Sequence, residues 1–227
     1  MISICVPTYE MKGRGVEFLT ELLDSVFLQT YTEFEVLISD HSQNDDIENY
    51  LSTSWAKENV HYYRNANGRG SIAANFNNLI DKATGTHIKF LLQDDYFYDA
   101  NSLQIEVDNL GAADWGLCAT IHRYGDSFSW HLIPEYTPNI YLGANTIGSP
   151  SLLLCKREAC QYFDGNLTLL VDCDFYRTMY DKYGLPKTTD AITTVSRMWE
   201  GQSQRAINEQ LKASEVKYVM EKYALKV

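Results

Sequence analysis

His87-Ile88-Lys89-Phe90-Leu91-Leu92-Gln93-Asp94-Asp95 leads an apolar run straight into two adjacent carboxylates. A short apolar run without helical period reads as a strand buried on both faces, as in parallel sheets. In open α/β sheets, ligands bind outside the carboxyl ends of such strands. Acidic side chains placed there are costly to desolvate unless positive charge meets them. A divalent cation carrying a phosphate-bearing ligand meets that need.

Upstream of this run, strands and helices alternate. Residues 2–6 read as a strand stopped by Pro7, and residues 8–15 as a polar, glycine-containing loop. Residues 16–29 carry Phe18, Leu22, Leu23, Val26 and Phe27 on one helical face. A second strand over 34–39 ends at Asp40, and a helix to about Trp55 starts at Asp45 or Asp46. Residues 60–64 form a third strand; a turn over 65–70 leads into a helix over 71–83 that Gly85 ends. The alternation predicts βαβ units and a parallel sheet. Right-handed crossovers then bring Asp40 and Asp94-Asp95 to one rim. Beyond residue 100 the pattern loosens into short strands and loops over 117–155, punctuated by Pro134, Pro138, Gly143, Gly148 and Pro150. A helix from Leu170, a strand over 192–198 and a helix over 204–223 complete the chain. No internal repeat or low-complexity linker interrupts it, and it reads as one domain.

The 227 residues suffice for a sizeable core. A net charge of −11 and a pI near 4.8 argue against a nucleic-acid partner. The five cysteines form no CxxC pair, which predicts buried thiols in a reducing compartment. No stretch reaches membrane-span length, and the apolar start lacks the basic region of a signal peptide. A cytoplasmic location is expected. Lys217, Lys222 and Lys226 on the last helix suit peripheral association with the inner face of a membrane. Packing of that helix on the domain or on a second copy is the competing reading.

Several fragments, in this order, resemble the inverting glycosyltransferases of family 2. They are Ile4-Cys5-Val6-Pro7-Thr8-Tyr9-Glu10, Gln29-Thr30-Tyr31 followed by the strand ending at Asp40, Ala74-Asn75-Phe76-Asn77, Ala83-Thr84-Gly85, Gln93-Asp94-Asp95, Phe163-Asp164-Gly165-Asn166 and Val171-Asp172-Cys173-Asp174. The resemblance runs from Ile2 to about Ser203. It implies an α/β GT-A fold: a Rossmann-like, mainly parallel sheet flanked by helices, with a mixed acceptor-side half. Residues 1–100 would hold a nucleotide sugar, 101–203 the acceptor, and 204–227 a C-terminal helix. By resemblance, Pro7, Thr8, Tyr9 and Glu10 flank the base, Asp40 accepts a hydrogen bond from it, and Asp94 addresses the ribose. Asn75 lies on the same donor side. Asp95 binds Mg²⁺ or Mn²⁺ on the diphosphate, and Asp172 is the general base. The implied activity is hexosyl or N-acetylhexosaminyl transfer in polysaccharide biosynthesis. The donor is a nucleoside-diphosphate sugar, UDP-linked by preference, and the acceptor a glycan or lipid-linked saccharide.

The chain departs from that pattern in four places. Leu92 replaces the first acid of a full DxD, so metal binding rests on Asp95. Val171 precedes Asp172, leaving Asp172 and Asp174 as rival bases, with Asp172 favoured by register. Ala74 stands where arginine is frequent, and Arg69 in Asn67-Gly68-Arg69-Gly70 supplies a compensating charge. Trp199 takes the place of a late histidine ligand. These losses keep open a catalytically inactive, nucleotide-binding or scaffold subunit. Gly13-Arg14-Gly15 keeps a nucleotidyltransferase in view. The aromatic cluster Phe97, Tyr98, Trp115, Tyr124, Phe128 and Trp130 reads as core, with a sugar platform as the alternative. His122 and His131 read as structural.

Overall fold

The computed structural model describes residues 1–202 and 208–224. The expected start of the last helix at Gln204, with Ile207, and the cation Lys226 fall outside these residues. Strand β1 (Ile2–Thr8) lies parallel to both β2 (Phe34–Asp40) and β4 (His87–Phe90), and β3 (Val60–Arg64) pairs parallel with β2. Helices α1 (Gly15–Phe27), α2 (Asp46–Ser54) and α3 (Ile72–Lys82) make the connections. Strand β1 is buried on both faces. Ile2, Ile4 and Val6 pack with Leu19, Leu22, Leu23 and Val26 of α1, whereas Cys5 packs with Phe76 and Leu79 of α3. This double burial explains why the strands read as near-continuous apolar runs. Ser71 caps α3, its Oγ accepting from Ala74 N (3.2 Å).

The second half adds β5 (Asp95–Phe97), α4 (Ser102–Leu110), β6 (Trp115–Tyr124), β7 (Ser127–Leu132), β8 (Leu153–Lys156), α5 (Val171–Tyr183), β9 (Lys187–Met198) and α6 (Glu209–Ala224). The sheet order is β3-β2-β1-β4-β8-β6-β9-β5, with β7 paired to β6. Pairing is parallel up to β4. Beyond it, β8, β7 and β5 pair antiparallel, and β6 and β9 run parallel. The expected α/β class, with a parallel half and a mixed half, is what the chain adopts.

The run that opened the sequence reading is corrected in its extent. It is not one strand to Gln93. The ladder stops at Phe90, because Leu92 N is taken by the Ser151 hydroxyl (2.9 Å) rather than by a strand carbonyl. Asp95 N then donates to Leu92 O (2.9 Å), and Asp95 opens β5 at the far edge of the sheet. Nor is the run wholly apolar. Lys89 is completely buried, its ammonium held between Glu106 Oε1 (2.6 Å) of α4 and the Ser151 carbonyl. Thr193 donates to the same Glu106 oxygen (2.8 Å).

The C-terminal helix packs on the domain: Val219 and Tyr223 enter the core. Lys222, read from the sequence as a lipid-facing cation, is instead paired with Asp164 and Asp174, each at 2.8 Å. Among the described residues no helix is long and apolar enough to cross a membrane. All five cysteines are free thiols, four of them buried. The aromatic cluster divides: Phe97 and Trp115 are core, whereas Tyr98, Tyr124, Phe128 and Trp130 are exposed.

Candidate active site

The ends of β1 and β2 are locked together. Asp40 is fully enclosed: its carboxylate accepts from Tyr62 Oη (2.8 Å), Ser42 N (2.9 Å) and Thr8 Oγ1 (3.4 Å), with Arg64 at 4.0 Å. Asn75 of α3 is buried too. It donates to Thr8 O (3.2 Å) and accepts from Ser39 Oγ (2.6 Å), so it ties the helix to both strand ends. Beside Asp40, His41 Nε2 and Ser42 Oγ are buried without a hydrogen-bond partner among the described residues. Burial holds the His41 imidazole below its ordinary pKa, so it is neutral at pH 7. Arg69 is exposed on the neighbouring turn, and its charge reaches His41.

The loop after β1 is fastened by Gln93, which the motif Gln93-Asp94-Asp95 contains but to which the sequence alone assigns no role. Its Oε1 accepts from Tyr9 N (2.9 Å) and its Nε2 donates to Gly15 O (2.9 Å). One buried amide thus clamps the Pro7–Gly15 loop against the turn that carries Asp94. Glycine is required at position 15, because an added Cβ would lie 2.7 Å from Tyr9 O. Glu10 accepts from Gln43 N (2.7 Å), which couples this loop to the one after β2. Met11 and Lys12 hold positive φ (47° and 55°), a strained conformation for side chains with a Cβ. Lys12 and Arg14 line an open cleft of ≈ 540 Å³ with Trp199, Glu200 and Gly201. These two cations were also missed as site residues. Their signal was their place directly after Pro7-Thr8-Tyr9. Gln93→Leu is expected to lower stability by ~1–3 kcal/mol, the cost of orphaning two buried backbone groups, checked by urea denaturation.

Asp94 and Asp95 face different partners. Asp94 accepts from the Trp199 indole N–H (2.9 Å), and its backbone carbonyl accepts from Arg197 Nε (3.2 Å). Arg197 is itself held by Glu21 of α1. Asp95 is buried and accepts from Ser149 Oγ (3.1 Å). Burial, and then the charge of Asp94, push the Asp95 carboxyl up to about 7, against the pull of the Ser151 and Ser149 hydroxyls. Burial raises Asp94 as well. Among the described residues no three His, Cys, Asp or Glu side chains converge on a metal position. Trp199 donates to Asp94 and offers no lone pair, so it is no substitute for a histidine ligand.

Asp172 and Asp174 differ in what α6 brings to them. Both oxygens of Asp174 accept from Lys222 (2.8 Å each), and one also accepts from Tyr223 Oη (2.7 Å). Asp174 is therefore consumed in fastening the helix. Asp172, on the first turn of α5, is partly open and has no hydrogen-bond partner among the described residues. Burial alone raises its carboxyl to about 7. Glu215 of α6 accepts from Thr168, Leu169 and Leu170 N (2.9 Å each), fixing the turn that delivers Asp172. One helical turn on from Asp172, Tyr176 donates to Gly148 O (3.1 Å), the residue before the Ser149 that holds Asp95. A short chain of contacts thus joins the two acids. Asp40 and Asn75 brace the ends of β1 and β2 from inside.

Residues 3–182 match the family described as Glycosyl transferase family 2. An uncharacterized glycosyltransferase of Rickettsia felis is 32% identical over 97 residues, 43% of this chain and 15% of that relative. A Campylobacter jejuni GalNAc(5)-diNAcBac-PP-undecaprenol beta-1,3-glucosyltransferase is 28% identical over 95 residues, 41% of this chain and 29% of that protein. The matched stretch therefore spans less than a third of either relative. S. aureus TarS (residues 1–349) in complex with UDP superposes with a TM-score of 0.66 at 19% identity, covering 98% of this chain and 72% of that one. The mannosyltransferase PcManGT from Pyrobaculum calidifontis, with GDP-Man and Mn²⁺, gives 0.63 at 16% identity over 87% of this chain and 56% of that one.

Proposed function

The chain belongs to glycosyl transferase family 2, and from that premise we propose that it moves a sugar, with inversion, from a nucleoside-diphosphate sugar to a hydroxyl of a glycan or lipid-linked acceptor. UDP-sugars are the favoured donors, and one domain carries both halves of the site. The observation that carries the reading is Asp172: a partly open carboxylate with no hydrogen-bond partner among the described residues and a raised pKa, linked through Tyr176, Gly148 and Ser149 to the Asp94-Asp95 pair. A base tuned near neutral pH suits removal of a proton from an alcohol as it attacks.

The base of the donor lies against the loop after β2, where His41 Nε2 and Ser42 Oγ lack partners among the described residues. Asp40 supports that loop from beneath, and the Pro7–Glu10 segment flanks it. Lys12 and Arg14 face the diphosphate from the cleft beside Trp199. Two neighbouring acids whose pKa values are raised by burial fit a divalent cation, even without a protein cage. Magnesium in particular is held by one or two carboxylates plus substrate phosphates. Asp95 would hold Mg²⁺ or Mn²⁺, and Asp94 the ribose; the cation would neutralise charge on the departing diphosphate. Asp172 takes the acceptor proton at its carboxylate. The acceptor oxygen bonds to the anomeric carbon from the face opposite the diphosphate, whose C–O bond breaks with the electron pair leaving on phosphate oxygen.

Calorimetry with UDP, GDP, CDP and ADP, each with and without Mn²⁺, tests the donor side. One diphosphate is expected to bind more tightly with Mn²⁺, and Asp95→Ala to erase that gain of roughly tenfold or more, the scale on which a lost metal partner acts. Absence of binding by every nucleotide would overturn the proposal. Sugar release from the donor by the wild-type chain separates an enzyme from a binding scaffold.

A further inference from the structure

Resting on the glycosyl-transfer reading, we propose that Trp130, with His122 beneath it, is the platform for a distal saccharide unit of the acceptor, beyond the unit that carries the reacting hydroxyl. The inference starts from register. Asp95 of β5 stands opposite Ser196 of β9, Ser196 beside His122 of β6, and His122 opposite Ser129 of β7. Residues in such a lateral row project from one face of a sheet. The Ser196 and Thr120 hydroxyls, 3.0 Å apart, confirm the shared face from the side chains. So does Leu132 at the end of β7. It covers Gly148, where an added Cβ would come within 2.9 Å of Leu132 Cδ2, and Gly148 adjoins the Ser149 that holds Asp95.

A β-bulge sits at the end of this row. Ile121 pairs with His131 and His122 with Ser129, so Trp130 is the extra residue. Bulges re-aim side chains. Here the backbone of Trp130 takes φ 43°, uncommon for a bulky residue, and its indole stands edge-on to the His122 ring with centroids 4.9 Å apart. The indole is 67% exposed. His122 Nδ1 has no hydrogen-bond partner among the described residues. The sheet therefore spends a strained residue on displaying a large ring over an unsatisfied polar atom.

The surroundings select the occupant. Phe128 pairs with Arg123 on the opposite face, so Trp130 is not part of a continuous apolar patch of the kind a protein partner needs. Its neighbours on its own side are Tyr124, Ser127, Ser129 and His122. An exposed indole beside the Tyr124 ring, with hydroxyl and imidazole groups between them, suits a pyranose, whose C–H face meets the electron-rich ring while its rim hydroxyls find polar partners. Three strand spacings, roughly 14 Å, separate the row position of Asp95 from β7. That is the reach of a short oligosaccharide, not of the monosaccharide being joined.

The test uses the whole chain, labelled on an exposed lysine, on an array of defined glycans with saturating nucleoside diphosphate and Mn²⁺, beside Trp130→Ala and Trp130→Tyr. The wild type is expected to retain glycans of two or more units in preference to monosaccharides. Trp130→Ala should weaken that retention at least tenfold and Trp130→Tyr restore most of it, while nucleotide binding in calorimetry stays unchanged in both. Retention by Trp130→Ala equal to wild type, no retained glycan on the array, or dissociation of a dimer by Trp130→Ala in sedimentation would each overturn the platform. Normal nucleotide binding with no Trp130 effect sinks the platform alone; loss of nucleotide binding in the wild type sinks the transfer reading.

Discussion

Asp172→Asn is expected to lower sugar transfer by about 10²–10⁴-fold, the usual contribution of a positioned general base, with nucleotide binding unchanged. The asparagine keeps the size and polarity of the side chain, and no hydrogen bond among the described residues is lost with the carboxylate. Its neighbour provides the contrast. Asp174→Asn would weaken the pairing with Lys222 and Tyr223, so it should appear first as a loss of thermal stability. Measuring kcat and Tm for both variants separates the two acids. Equal activity losses at equal stability would overturn the assignment.

The pH dependence follows from the same burial. With its carboxyl raised to about 7, Asp172 is protonated in the folded protein below that value and cannot accept a second proton. Transfer should therefore rise with pH through about 7 and then level. The stability effect has the opposite slope. An unfolded aspartate ionises near 3.8, so between that value and about 7 the folded state holds the extra proton. Stability attributable to this group falls as pH rises through that window and stays low above it. Asp172→Asn removes this contribution and should melt higher than wild type above pH 7. Asp95, raised in the same direction, leaves part of the slope in place.

Lys89→Met is expected to destabilise the fold by ~3–5 kcal/mol, the cost of leaving a buried charge without its partner. Glu106 would lose its counter-charge: burial already pushes its carboxyl up, and Lys89 opposes that shift, with the Thr193 hydroxyl a weaker help. Its second oxygen has no partner among the described residues even with Lys89 in place. The damage should reach the site, because Lys89 holds the Ser151 carbonyl while Ser151 Oγ receives Leu92 N, two residues before Asp94. Combining Lys89→Met with Glu106→Leu should recover much of the loss, since replacing both charges leaves neither stranded. Denaturant midpoints for the two single variants and the double variant check this. Additive losses would show that the pair is not coupled.

Much of the donor-side half was legible because its rules are local. Apolar runs over 2–6 and 34–39, separated by a helix with a clean apolar face, admit few arrangements other than parallel strands with covering helices. Asp40, Asp94 and Asp95 were placed on one rim by that argument. What failed depended on distant partners. The stop at Phe90 depends on a hydroxyl from residue 151, and a short strand such as β5 gains its identity only from β9. Helix α4 went unrecognised because its buried face carries Ser102 and Glu106 among its leucines, and the acid is tolerable there only because Lys89 waits across the sheet.

The amino-acid order alone determined which acids stand at strand ends and helix starts, for such positions follow from periodicity and turn chemistry along the chain. It could not say which of these acids remain available. Asp40 and Asp174 are filled by Tyr62, Ser42, Lys222 and Tyr223, whereas Asp172 is left open, and each partner arrives from a segment 20 or more residues away or from a backbone turn that only folding creates. Whether a carboxylate is a strut or a base is a question of which donors surround it in space, and only the packed chain supplies that answer.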